Sequence, residues 1–447
     1  MNLAVIAWKN LQQRSLASAL TGISIALGVM LMVAVLVISS VLDATFSQRS
    51  IGYDLIVGPK GSDLQLVLST VYHISPPIEN LPYRYFRELS ADPRIASAIP
   101  VAMGDTTELG GFPIVGTVPQ YFLEDYAPKR QFLIRGNTLR RPFDALIGAH
   151  VARANGWDIG STFRMIHGGS DSHVHNEEFT VAGVLQATGT PNDKSVFVHL
   201  DGFYLIQGHD KPFDEALKRE REFFGEPPLS PAELDAEVAR LKKKYSHDHS
   251  GHDHAHDDHV EEVPDLQKEV TSILVNAKTP IAANLLAGDL KKGFKAMAVN
   301  PIIPMRRLMV DVLGGVKLLL LVLTGLIVAV SGIGIFVSIY NSMAARKREI
   351  AIMRALGARR GTVLSIILSE SIMLCLGGGL LGLLLGHGLV FIAAPIVEVR
   401  TGLLVNPMTF DPYELVLFPV LLLLGSLVGL LPGLTAYRTD VADALNG

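Results

Sequence analysis

Four stretches of the chain, residues 15–42, 318–345, 371–397 and 415–437, contain no Asp, Glu, Lys or Arg. Each exceeds the roughly 20 apolar residues that a helix needs to cross about 30 Å of hydrocarbon. A core helix of that length without charge would have no face to turn to water. The pattern therefore predicts four transmembrane helices. Between residues 53 and 207 the pattern changes to short apolar runs separated by turn residues. "YDLIVGP", "FPIVGTV", "STFRMIH", "EEFTVAGVL" and "SVFVHL" read as strands, rich in β-branched and aromatic residues and bounded by Gly, Pro or Asn. "AHVARANG" reads as a helix closing on Gly156, "VTSILVNAKT" (270–279) as a strand and "PIAANLLAGDLKKGF" as a helix. The predicted fold class is an α-helical membrane protein with four transmembrane helices plus an α+β extracytoplasmic domain inserted between the first and second helices. Its parts are 1–42, a lead-in and first span; 43–311, the extracytoplasmic domain; and 312–447, three spans with a cytoplasmic helical loop at 345–360.

A stretch of different character interrupts the α+β region. "FDEALKREREFF" and "SPAELDAEVARLKKKY" read as highly charged helices, the second opened by a Ser230–Glu233 capping box with Pro231 at its first position. Residues 209–265 are predicted to be an insertion, a charged helical finger with a disordered tip.

Composition adds orientation. Of 447 residues 49% are hydrophobic and 18% charged, which excludes an ordinary soluble enzyme. The net charge of −4 is too small to imply nucleic acid or any other charged partner. The single cysteine, Cys375, lies within the third span, so the head has no disulfide and no thiolate metal site. The first span has a basic start but an apolar run longer than a signal peptide's, and is expected to remain as an anchor. Between spans two and three, Arg346, Lys347, Arg348, Arg354, Arg359 and Arg360 face one acid, Glu349. Short basic loops stay in the cytoplasm. Lys9, Arg14 and Arg438 agree, which puts both termini in the cytoplasm of a bacterial inner-membrane protein. Lys291, Lys292, Lys295, Arg306, Arg307 and Lys317 crowd the opposite side, but long loops translocate largely regardless of charge.

The basic loop carries more than topology. A helix over 345–357 would bring Ile350, Met353 and Leu356 near one side, with Gly357 as its stop, and a short amphipathic helix of this kind suits docking into a partner's groove. The whole stretch "MAARKREIAIMRALGARRGTVLSIILSESIMLCLGGGLLGLLLG" resembles the signature of the MacB/FtsX/LolC group of ABC-transporter permeases. "AWKNLQQRSLASALTGISIALGV", "GTPNDKSVFVHLD" (189–201) and "PGLTAYRTDVADAL" are similar to other parts of that family, and residues 209–265 depart from it. The resemblance implies a dimer, of identical or similar permeases, bound to two copies of a separate ATPase. Arg348, Glu349, Ile350, Met353, Arg354 and Gly357 would form the coupling helix, and a periplasmic adaptor or substrate-binding protein is a further expected partner. No G-x-x-x-x-G-K-[ST] pattern occurs in the sequence, and "GPKGSD" (58–63) reads as a turn between strand and helix.

Gly378, Gly382 and Gly386 recur every four residues in the third span, a stripe along which another helix backbone can approach, from the same subunit or a second one. Glu370 and His387 are the ionisable residues in or near this span, and no chain of such groups runs through the four spans to suggest proton relay.

The remaining chemistry is histidine. His247, His249, His252, His254, His256 and His259 alternate with Asp248, Asp253, Asp257 and Asp258. These donors suit zinc or another divalent transition metal, yet the tract supplies no frame to hold three or four of them in one geometry. It reads either as a solvated polar loop or as a loose metal binder. His167, His173 and His175, in a predicted hairpin, form a second group and favour a metal link. No intrinsic cofactor is expected otherwise.

The expected function is the permease subunit of an ABC transporter of the mechanotransmission type, not itself an enzyme, exporting or extruding a substrate with a link to zinc. Two alternatives are a non-transporting transmembrane regulator of an extracytoplasmic hydrolase and a component of a zinc uptake or resistance system.

Overall fold

The computed structural model describes residues 3–46, 51–167, 174–245, 263–345, 347–401, 406, 408 and 410–438. Two compact units emerge: Met1–Asp43 with Val310–Gly447, and Ala44–Met309.

The first unit is helical. A lead-in helix, Leu3–Gln13, precedes four long ones: Ser15–Phe46, Gly314–Ala345, Arg360–Thr401 and Glu414–Arg438. All four contain segments long and apolar enough to cross a membrane. The third begins well before the charge-free stretch at 371–397, because "RGTVLSIILSE" is itself apolar and helix-compatible up to Glu370. Ile25, Val29, Val33, Ile335, Ile339 and Cys375 are among the residues that form the bundle's core. Leu318, Leu384 and Leu423 stand exposed on its outside, a cost in water but not against acyl chains.

The second unit, the head, is α+β. Its strands are β1 (Leu55–Gly58), β2 (Leu81–Pro82), β3 (Ile95–Thr107), β4 (Pro113–Thr117), β5 (Asp125–Ala127), β6 (Arg130–Gln131) and β7 (Ile134–Gly136). There follow β8 (Asp144–Ile147), β9 (Thr162–His167), β10 (Val174–Leu185), β11 (Val196–His199), β12 (Glu269–Val270), β13 (Ser272–Ala277) and β14 (Met297–Val299). The main sheet runs β14-β1-β13-β3-β4-β11-β8-β10-β7, and β9 pairs with both β10 and β3. Strands β3, β4, β11, β8, β10 and β9 therefore close into a ring, which leaves no free edge among them.

Strand β3 makes this possible by its length of 13 residues. Along one edge it pairs first with β13, from Ile95 to Val101, and then with β9, from Asp105 to Thr107. Side chains alternate across the strands as the period-2 pattern requires. Leu55 and Val57 enter one apolar cluster while Ile56 enters the other, and Ile273 and Val275 are likewise separated from Leu274. Phe179 and Phe197 are fully buried, one in each cluster.

The charged stretch forms a helical hairpin, Phe213–Phe224 and Pro231–Tyr245. Ser230 Oγ and N both donate to Glu233 Oε2, at 2.7 and 2.9 Å, and the Glu233 N–H returns to Ser230 Oγ. This is the reciprocal cap expected from the sequence. The first finger helix rests on the helix Tyr83–Ser90: Phe223 meets Tyr85 with ring centroids 5.3 Å apart, and Arg84 donates to Glu220 and Glu226. At the finger's root Tyr245 stacks on Phe213, 6.1 Å between centroids. His173 and the tract from His247 to His259 lie outside the described residues.

Candidate functional site

Two places among the described residues combine shape with chemistry. The first is the loop between the second and third spans, which forms a helix over Lys347–Ala355. Its stop is built as the sequence suggests. Gly357 has φ +100°, its N–H bonds to Arg354 O and the Ala358 N–H to Met353 O, each at 3.0 Å. These two bonds define a Schellman cap, whose left-handed position favours glycine.

Packing splits the apolar residues of this helix differently from the simple face drawn over 345–357. Ile350 and Ala351 are buried and Met353 packs against the bundle core, whereas Leu356 is 84% exposed. Leu356 stands at the cap, directly before the left-handed Gly357, with its N–H still bonded to Ile352 O at 3.0 Å. Arg354 belongs to the same helix, as do Arg348 and Glu349, whose side chains lie outside those described.

Beneath the helix lies a cavity of about 320 Å³, lined by Ile6, Asn10, Met343, Ile350, Met353 and Glu370 among others. Glu370 is buried and accepts a hydrogen bond from Asn10 Nδ2 at 2.5 Å. The lead-in helix is thus tied to the third long helix next to the cavity, and Arg14 adds a bond to Ser338 O in the second. Glycines complete the arrangement. Gly378, Gly382 and Gly386 face the helix Ser15–Phe46: a Cβ at Gly378 would meet Gly22 O, one at Gly382 Ala26 O, and one at Gly386 the Val33 side chain. In this chain the stripe serves packing between its own first and third long helices. At the far end, His387 Nε2 lies 3.0 Å from Glu414 Oε2.

In the head, the family-like stretch "GTPNDKS" forms a tight turn. The buried Asp193 carboxylate accepts from Thr188 N, Thr188 Oγ1 and Gly189 N at 2.7–2.8 Å, and Tyr121 donates to Asn192 Oδ1. Ser195 Oγ is 2.6 Å from Nδ1 of His73, a residue with φ +54°. Burial pushes the His73 imidazole down to about 4, partly offset by a backbone hydrogen bond involving Thr70. These contacts hold a corner of the sheet, and we assign them structure, not chemistry.

The second place is a cluster of three histidines around one aspartate. Asp105 lies near the end of β3, directly opposite His167, the last residue of β9. His175 is the second residue of β10, the strand that returns from β9. His209 comes from the turn after the helix Leu200–Leu205, following Gly208 with φ +91°. One ligand atom from each of the four residues lies within 4.8 Å of those of the other three.

His167 Nδ1 and His209 Nε2 each lie 3.0 Å from one oxygen of Asp105. Burial alone would raise the Asp105 carboxyl, but attraction to His209 and His167 outweighs it and holds the group below its ordinary value. The His175 imidazole is pushed down by burial and by the neighbouring His209 and His167. Beside the cluster opens a cavity of about 240 Å³, which Asn80, Lys211, Glu269 and Thr271 help to line. Sequence reasoning singled out His167 and His175 but missed Asp105 and His209. The first is hidden in a strand and the second stands alone in a turn.

The descriptions of two protein families match the chain. Residues 18–224 match a MacB-like periplasmic core domain and residues 321–441 an FtsX-like permease C-terminal domain. Among curated relatives, a macrolide export ATP-binding/permease protein MacB of Rhodopirellula baltica is 28% identical over 188 residues, 40% of this chain and 27% of that protein. An uncharacterized ABC transporter permease, YknZ, of Bacillus subtilis is 34% identical over 125 residues, 28% of this chain and 30% of that protein. The chain thus matches less than a third of the length of either. The periplasmic region of MacB from Actinobacillus actinomycetemcomitans aligns in structure over 58% of this chain and 94% of its own, with 13% identity and a TM-score of 0.32. The two domain matches cover most of the chain on both sides of the finger's second helix, and with four membrane-length helices the conclusion is that the chain belongs to the MacB/FtsX-type ABC-transporter permeases.

Proposed function

We propose that the protein is the membrane lever of a mechanotransmitting ABC transporter, driven by ATP hydrolysis on a separate subunit. The observation that carries this reading is the capped helix Lys347–Ala355. It is a short rigid element between two spans, seated by Ile350 and Met353 over a cavity and presenting Leu356 outward. In this reading the helix lies on the cytoplasmic side, with both termini, and its exposed rim at Leu356, Gly357 and Arg359 engages the ATPase. The buried Ile350 and the partly buried Met353 pass displacement to the second and third helices, while Arg348, Glu349 and Arg354 supply charge at the contact.

Two copies of the permease face two ATPases, and closure of the ATPases moves the paired heads on the other side. A periplasmic adaptor or substrate-binding protein would meet the heads. The long helices offer few polar side chains between them, which favours extrusion of a substrate handled by the heads over a hydrophilic tunnel. The test is direct. Gly357→Val must lose the Schellman cap and abolish ATP-driven function while the protein still inserts in the membrane. Function retained in that variant, or after deletion of the partner ATPase, refutes the coupling.

A further inference from the structure

We propose that Asp105, His167, His175 and His209 form a single site for a divalent transition-metal ion, with zinc as the best fit, that ties the root of the finger to the strand ring. Nothing in the ATP-driven function requires it, and the inference stands on the head alone.

The donor set is three imidazoles and one carboxylate, which suits a tetrahedral zinc site. Ligands about 2.0–2.1 Å from a tetrahedral centre stand about 3.3 Å from each other. Two imidazole nitrogens already lie 3.0 Å from the Asp105 carboxylate, one at each oxygen, and one ligand atom from each of the four residues falls within 4.8 Å of the others. Small rotations of the side chains would close the set.

The frame is the part that the His-rich tract lacks. Three ligands stand on hydrogen-bonded strands, with Asp105 and His167 locked opposite one another in register. The fourth, His209, is held by Phe203, whose ring centroid lies 4.4 Å from its own.

His209 supplies the second, independent observation. Its side chain is only 4% exposed, yet neither ring nitrogen has a hydrogen-bond partner among the described residues. Nε2 lies 3.0 Å from Asp105 Oδ2 without the alignment of a hydrogen bond, and that oxygen is itself left without one. A buried imidazole whose nitrogens make no hydrogen bond is destabilising unless another partner meets them. An ion between His209 and Asp105 would satisfy both atoms at once. The half-exposed His167 and the adjoining cavity give the ion a way in.

The placement gives the site a consequence. His209 precedes the finger's first helix by four residues, and the same root is bound to the chain that returns from the finger. Lys211 N donates to Gln267 O, and Gln267 Nε2 donates to Asp210 Oδ2 and Lys211 O. An ion bridging His209 to β3, β9 and β10 would make the finger's attachment depend on metal.

The test uses the protein in detergent with residues 246–259 deleted, so that the tract cannot contribute ligands. It is titrated with cobalt(II), read by the visible absorption of the four-coordinate ion, and then with zinc(II) in competition with a chromophoric chelator. The expected result is one equivalent per chain. His175→Ala and His209→Ala should each weaken affinity by at least about 100-fold, the upper end for loss of an outer-shell partner, and Asp105→Asn should lessen it while leaving the fold intact by circular dichroism. Absence of a stoichiometric site in the tract-deleted protein overturns the proposal without touching the permease reading. So does binding that is indifferent to both histidine substitutions.

Discussion

Substitution of one glycine in the third long helix tests how the bundle is held. A Cβ at Gly382 would stand 2.6 Å from the Ala26 carbonyl oxygen and from Val29 Cβ, where ordinary contact begins at about 3.4 Å. The obstruction includes backbone, so rotamer changes cannot clear it, and the helices Ser15–Phe46 and Arg360–Thr401 must part by about 0.8 Å at that level. Overpacking of this kind costs about 1–3 kcal/mol. Gly377 lies on the same helix with nothing within 4 Å of its would-be Cβ. Gly377→Ala should therefore be neutral or stabilising, by up to about 1 kcal/mol from helix propensity. Both variants are compared with wild type by unfolding from mixed micelles with increasing SDS, followed by circular dichroism. Gly382→Ala should shift the midpoint to lower SDS and Gly377→Ala should not. Equal behaviour of the two refutes the packing assigned to the stripe.

Three further outcomes are expected. Asp193→Ala strands the donors Thr188 N and Gly189 N in a buried turn and should destabilise the head by about 2–4 kcal/mol in thermal or urea unfolding. His73 is held neutral by burial, with a folded value of about 4 against 6.5 for a free imidazole. Its contribution is therefore fully present above about pH 6.5 and is lost as pH falls toward 4, by roughly 3 kcal/mol in all. A His73→Asn variant should show a correspondingly flatter loss of stability over that window, measured by urea unfolding at a series of pH values. Leu356→Ala should weaken the complex with the partner ATPase by about 10-fold in a pull-down titration, as a central apolar anchor does, and leave the unfolding midpoint unchanged because the side chain touches little of its own chain.

Much of the fold was written in local pattern. Charge-free runs mark the long helices, short apolar runs bounded by turn residues mark β1, β4, β9, β10, β11 and β13, and the caps at Gly156, Ser230 and Gly357 stand where glycine and serine stop or start helices. What the pattern could not give was long-range pairing. Nothing in "IASAIPVAMGDTT" announces that one strand would serve two partners along one edge and close a ring. That closure is what sets Asp105 against His167. For the same reason the conspicuous histidines, from His247 to His259, drew attention by density, whereas His209 carries no local signal. The expected stop at Gly357 is present, but the three apolar residues of the loop do not share one packed face: Ile350 and Met353 pack inward while Leu356 is exposed.

The proposed coupling requires the capped helix and the head to lie on opposite sides of the membrane. It is tested by replacing Leu356 with cysteine, and separately Asp235 on the finger, in a background where the buried Cys375 is serine. Each variant is treated with a membrane-impermeant maleimide in spheroplasts and in inverted vesicles. Leu356→Cys should label in inverted vesicles and stay unlabelled in spheroplasts, with Asp235→Cys showing the reverse. Labelling of both from the same side contradicts the lever and the proposal of ATP-driven coupling with it.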